Sequence, residues 1–194
     1  MTYDNQHLTK AQIVKKLGYF PAFFLPIIDS SLICHSLVQR TLYAYINNPL
    51  PTLLKEKLFV YLSYHCGFDY FTICHSCSLY SLGVSAKDIL ALVKIQSPQI
   101  EEDLSSDLHL LEDNNQYFEN WHQNVQVETC WLRCLSLIFL HPSKSVKCPV
   151  ILRQFLGTVS YNYLLVFLGY IKLCHQWVTL HPEISHQQDR RSQL

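Results

Sequence analysis

Five glycines and eight prolines in 194 residues leave this chain few places to turn. A many-stranded β fold needs a turn signal roughly every 8–12 residues. Long stretches without such breaks suit helices. Apolar residues make up 49% of the chain and charged residues 15%. That is enough to bury a core and too apolar for disorder. The expectation is one all-α domain over residues 1–194.

The breaks that do exist mark off the helices. Residues 11–20 read as a short helix ending near Gly18, and Pro21 and Pro26 bracket the apolar stretch 23–28. A longer helix is predicted over 30–46, with Leu32, Leu37, Leu42 and Tyr45 on its buried side. Asn47-Asn48-Pro49 stops it, because the residue before proline avoids the α region. The next helix starts near Pro51 and Thr52. It buries Leu53, Leu54, Leu58, Tyr61 and Leu62 and leaves Lys55, Glu56 and Lys57 as its polar members. Gly67 breaks it. Another helix runs over 69–82, with Gly83 just past its cap. Ser85 caps a helix over 86–95, with Asp88 at the third position. Residues 97–124 are the most acidic part and read as a solvated helix face or a connector. Two apolar helices follow, at 125–140 and 152–177, with His141-Pro142 and Cys148-Pro149 in the gap. From His186 onward the chain is polar and expected to fray.

Lys and Arg total 15, and so do Asp and Glu. That balance gives no electrostatic footprint for nucleic acid or an anionic membrane. The most apolar run, 161–173, contains Asn162 and Lys172. It is shorter than the roughly 18 residues a spanning helix needs. The first ten residues lack the apolar run of a secretion signal. Eight cysteines in this setting argue for thiols kept reduced in a cytosol, not for a disulfide scaffold. Cys74-x-x-Cys77 and Cys130-x3-Cys134 fall in helical segments without a bridging signal, so no zinc site is predicted. No phosphate loop, nucleophile elbow or His-Glu-x-x-His motif is present. Neither metal nor organic cofactor is expected.

Residues 55–89 read KEKLFVYLSYHCGFDYFTICHSCSLYSLGVSAKDI. This stretch resembles the core of the alkylhydroperoxidase D-like, or carboxymuconolactone decarboxylase-like, family. Members carry a glutamate on one helix and a Cys-x-x-Cys pair opening the next. A histidine follows four residues after the second cysteine, and a glycine ends that helix. Counted from Glu56, the two cysteine positions fall on Phe68 and Phe71, the histidine on His75 and the glycine on Gly83. The runs Lys16-Leu17-Gly18-Tyr19-Phe20-Pro21 and Asn47-Asn48-Pro49-Leu50-Pro51 look like flanking family segments. So does Gln176-Trp177 with His181-Pro182-Glu183.

The resemblance implies the family's helical fold, self-association through helices, and thiol peroxidase chemistry. In the family, glutamate and histidine draw a proton from a cysteine, and the thiolate attacks a peroxide. The sulfenic acid condenses with the second cysteine, and a dithiol reductant resets the pair. Here Phe68 and Phe71 stand where the thiols would, on one helix face with His75. On residue type alone, Glu56 reads as a surface carboxylate and His75 as a structural histidine. The matched spacing pairs them as a proton relay. Three cysteines lie nearby in sequence. Cys66 with Cys74, or Cys74 with Cys77, would make a displaced pair, with Cys74 as nucleophile and the other as resolving thiol. The opposing expectation is a non-catalytic scaffold or binding protein. Its old site is plugged by Phe68 and Phe71, and its cysteines are inert packing. Nothing identifies the cyclic-acid pocket of a lactone decarboxylase.

Overall fold

The structure is a computed structural model that describes residues 10–113 and 124–189. Among these residues there is no β-strand, so the class is all-α as expected. The helices are α1 (Lys10–Leu17), α2 (Ser31–Thr41), α3 (Thr52–His65), α4 (Asp69–Ser81), α5 (Ala86–Lys94), α6 (Ser105–Asp113), α7 (Val125–Leu140) and α8 (Cys148–Leu180).

Helix α3 is the centre, and its contact with α4 is the most extensive between elements. Leu54, Leu58, Phe59, Val60, Tyr61 and Leu62 are all buried, so the helix is enclosed on every side. That enclosure takes in Lys55 (4% exposed) and Glu56 (3% exposed). The polar side read at 55–57 is therefore interior over its first two residues. Lys57 reaches the edge and pairs with Glu128 of α7 at 2.5 Å.

The three predicted glycine breaks, at Gly18, Gly67 and Gly83, are present. Gly67 has φ +75°. Its N–H donates to the Tyr64 carbonyl at 3.1 Å, and the Phe68 N–H donates to Ser63 at 2.9 Å. These bonds satisfy carbonyls that the end of α3 leaves open. The same pattern closes α4, where the Gly83 and Val84 N–H groups donate to Tyr80 and Leu79, each at 3.0 Å. The Ser85 hydroxyl then accepts from the Asp88 N–H at 3.2 Å and caps α5.

Helix α2 departs from the expectation of one helix over 30–46. Its α turns stop at Thr41, and Leu42–Ile46 wind as a π-helical turn. The Asn47 N–H donates to the Leu42 carbonyl at 2.7 Å. Leu37 and Tyr45 are buried as expected, but Leu32 is 66% exposed. The buried stripe runs Cys34, Leu37, Val38, Thr41. A residue two positions before Cys34 faces the other way.

Helix α8 starts earlier than position 152, because Pro149 sits in its first turn, where a missing N–H is no loss. Gly157, at φ 74° and ψ 156°, interrupts it. Over its 33 residues it is long and apolar enough to cross a membrane by length and composition, unlike the shorter run 161–173. Its inner side supplies Leu164, Phe167, Ile171, Cys174 and His175 to the core.

The acidic segment packs over its first part. Leu104, Leu108 and Leu111 are buried, and Asp107 pairs with Arg133 of α7 at 2.6 Å. Residues 114–123 of that segment lie outside the described residues. The expected fraying from His186 does not hold through Asp189, which is 1% exposed. Two hydrogen bonds to its carboxylate tie it down. Residues 190–194 lie outside the described residues.

Candidate functional site

Glu56 on α3 and His75 on α4 meet across the helix interface. The His75 Nδ1–H donates to Glu56 Oε2 at 2.7 Å. The histidine is 6% exposed and the glutamate 3%. A carboxylate oxygen only accepts, so Nδ1 carries the proton of this bond. The Phe59 ring stacks on the imidazole, with centroids 3.9 Å apart and planes 6° from parallel.

Tyr45 completes the group. Its hydroxyl donates to Glu56 Oε1. The π turn delivers this side chain, and such turns recur at functional sites. Lys55 holds the turn in place. Its buried ammonium donates to the carbonyls of Tyr45 at 2.7 Å and Asn48 at 2.9 Å. A cation suits the carbonyl end of a helix. Burial lowers the Lys55 pKa, and the charge of Glu56 partly restores it.

Two cavities flank this hydrogen-bonded chain. The inner one is about 50 Å³, lined by Tyr45, Tyr70, Cys74, His75, Tyr170 and Asp189 between phenylalanine walls. That is room for a few water molecules. The outer one is about 430 Å³, open to the surface, and lined by Tyr45, Thr52, Glu56, Cys77, Ser78 and Ser81 among others. Its size falls in the range of small-molecule sites. Tyr45 lines both cavities, His75 the inner and Glu56 the outer. The relay thus lies in the wall between them.

The two phenylalanines do different things. Phe71 is buried and packs on Phe59 at 5.5 Å, Phe23 at 5.9 Å and His75 at 6.2 Å. Phe68 is only half-buried, because it is the N-cap residue of α4 and not part of its first turn. It stacks on His175 of α8 at 4.2 Å. The His175 Nε2 and the Ser63 hydroxyl are 2.9 Å apart in a hydrogen bond. Burial, followed by the nearby charge of His75, pushes the His175 pKa down to about 4.

All eight cysteines are free thiols. Cys74 lines the inner cavity and Cys77 the outer one. Cys66 caps the end of α3, where burial raises its pKa and Lys172 partly offsets this. The three candidate thiols therefore occupy three different surroundings. Far from them, the Cys134 pKa is raised by a hydrogen bond with Cys148 and then by burial. Among the described residues, no three of His, Cys, Asp and Glu are grouped to hold a metal ion.

Sequence reasoning paired Glu56 with His75 but missed Tyr45 as their partner. No local signal marks it, since it sits on a separate helix and reads as one more core aromatic. His175 and Asp189 were missed for a related reason, since both come from the C-terminal third of the chain. Lys55 and Tyr70 share helices with Glu56 and His75 but were read as a surface lysine and an ordinary aromatic. The Asp189 carboxylate accepts from the Tyr70 hydroxyl at 2.8 Å, over 119 residues of chain.

No family model, curated protein or solved structure matches this chain. The geometry defines an all-α protein with a buried Tyr–Glu–His chain between two cavities.

Proposed function

We propose that this chain is a divergent alkylhydroperoxidase D-like protein that keeps the proton relay and works as a one-thiol peroxidase at Cys74. The observation that carries the reading is the 2.7 Å hydrogen bond between Glu56 and His75, with Cys74 lining the same inner cavity as His75. His75 takes the thiol proton, and Glu56 stabilises the resulting imidazolium. The Cys74 sulfur attacks one peroxide oxygen. The O–O bond breaks, an S–O bond forms, and the other oxygen leaves as water or alcohol with the proton. No second thiol lines that cavity, so the resolving step falls to an external dithiol. It reduces the sulfenic acid to thiol, releases water and becomes a disulfide.

Peroxide consumption with a dithiol donor tests this. Cys74→Ser and Glu56→Gln are expected to fall to background, while Cys66→Ser and Cys77→Ser keep the wild-type rate. Wild-type consumption at background would end the proposal.

A second reading is a non-catalytic binding protein. The burial of Phe71 among Phe23, Phe59 and His75 favours it, because that ring fills space at a family thiol position. In that case the outer cavity of about 430 Å³ is the ligand site.

A further inference from the structure

We infer that residues 181–189 form a latch over the inner cavity, and that Cys74 and His75 become reachable when the Tyr70–Asp189 contact opens. After α8 ends at Leu180, the chain brings the turn His186–Gln188 against α4. It is anchored by the buried Ile184 and by Asp189, while Pro182, Glu183, Gln187 and Gln188 between them are exposed.

Asp189 is the knot. Its Oδ2 accepts from the Tyr70 hydroxyl on α4 at 2.8 Å and from the Ala22 N–H at 3.4 Å. The Tyr70 oxygen in turn accepts from the Phe23 N–H at 3.2 Å. Three separate parts of the chain meet there: the N-terminal turn, α4 and the C-terminal strap. Tyr70, Phe23 and Asp189 are also walls of the inner cavity. The fastening and the wall are the same residues.

Within the strap, the backbone closes short local turns. The N–H groups of Ile184, Gln188 and Asp189 donate to His181, Ser185 and His186. Such bonds keep the strap's shape without fixing it to the body. The turn His186–Gln188 also rests against α4, but Pro182, Glu183, Gln187 and Gln188 stay exposed, and a short surface segment of this kind belongs to the low-stability end of a fold, from which lids are drawn.

Closed, the cavity of about 50 Å³ admits a molecule of a few atoms, and Cys74 is 5% exposed. A larger organic hydroperoxide enters only after the strap lifts. This role in access rests on the reading of Cys74 and His75 as the reacting pair. The opening itself does not.

The experiment labels the full chain with methyl methanethiosulfonate and follows each cysteine by mass spectrometry. Cys34 and Cys148 are fully buried away from the cavity and report global unfolding. Tyr70→Phe and Asp189→Ala are each expected to speed Cys74 labelling at least about tenfold, the usual scale for one charge-assisted hydrogen bond. Cys34 and Cys148 should keep their wild-type rates. Unchanged Cys74 labelling, or acceleration of all three together, overturns the latch. Should a variant fail to fold, the wild type in low urea decides. Local opening gives Cys74 a shallower denaturant dependence than Cys34, and equal slopes overturn the inference. Peroxide turnover is measured in parallel. Faster labelling without turnover keeps the latch and removes the peroxidase reading.

Discussion

Glu56 Oε2 and His75 Nδ1 lie 2.7 Å apart, joined across two helices by a turn that only Gly67 makes easy. The glycine's φ of +75° lets α3 end and α4 start with their inner faces together. The pair is then held from three more sides. Tyr45 takes the second carboxylate oxygen, Phe59 covers the imidazole, and Lys55 fixes the backbone of Tyr45. A carboxylate this deep is tolerable because both oxygens have donors.

Deleting that carboxylate tests the account directly. Glu56→Ala leaves the Tyr45 hydroxyl and the His75 N–H buried without their acceptor. The expected loss is about 2–4 kcal/mol, the sum of two such deficits in the lower half of their range. Tyr45→Phe removes donor and hydroxyl together and is expected to cost about 1–2 kcal/mol. Urea unfolding measures both. A Glu56→Ala loss below that of Tyr45→Phe would contradict the arrangement.

His175 gives the fold a specific acid sensitivity. Its folded pKa is pushed down to about 4, against an ordinary 6.5. Between these values the unfolded chain binds the extra proton and the folded chain does not. Stability is therefore fully present above about pH 6.5 and is lost as pH falls toward 4. The loss over that window is on the order of 3 kcal/mol. His175→Gln removes the titration. Denaturant midpoints of the two proteins should converge as pH falls from 7 to 4. A constant difference across that range would show that His175 does not titrate there.

Much of the helix order follows from local signals, because helix ends are written in single residues. Gly67, Gly83, Ser85 and Asn47 each stop or start an element where their chemistry requires. The pairing of Glu56 with His75 was also readable, since a fixed spacing across one turn fixes which residues face each other. The failures share a cause too. Asp189 and His175 reach the site from distant parts of the chain, and Tyr45, though only 11 residues from Glu56, arrives through a π turn that no spacing rule announces. The burial of Lys55 and Glu56 was hidden because charge pattern reports the common case, while enclosure of α3 is a tertiary property. The break in α8 was missed because one glycine inside an apolar run is usually tolerated.

That break makes a separate prediction. Gly157 has φ 74° and ψ 156°, a region that side chains avoid, and a Cβ built there meets nothing within 4 Å. The cost of Gly157→Ala is therefore backbone strain alone, about 1–3 kcal/mol. Gly169 lies in the same helix with no such φ and no close neighbour. Gly169→Ala is expected to be neutral or stabilising by up to about 1 kcal/mol. Thermal unfolding of the two variants should shift in opposite directions, and equal shifts would argue that α8 is continuous through 157.

The last prediction concerns the two phenylalanines themselves. Position 68 is the N-cap of α4, and position 71 lies one turn before His75. A thiol at a helix N-terminus has its thiolate favoured by the exposed N–H groups. A thiol at 71 would face the imidazole that Phe71 now packs against at 6.2 Å. Phe71→Cys empties core volume and is expected to cost about 3 kcal/mol, whereas Phe68→Cys, at a half-buried site, costs less. If the relay is competent, the double variant Phe68→Cys/Phe71→Cys gains dithiol-dependent peroxide turnover above the wild-type level. The further addition of Glu56→Gln should remove that gain. The single variant Phe68→Cys lacks the thiol beside His75 and is expected to gain little. Turnover that survives Glu56→Gln would mean that the new thiols react without the relay, and that the 2.7 Å pair serves the fold alone.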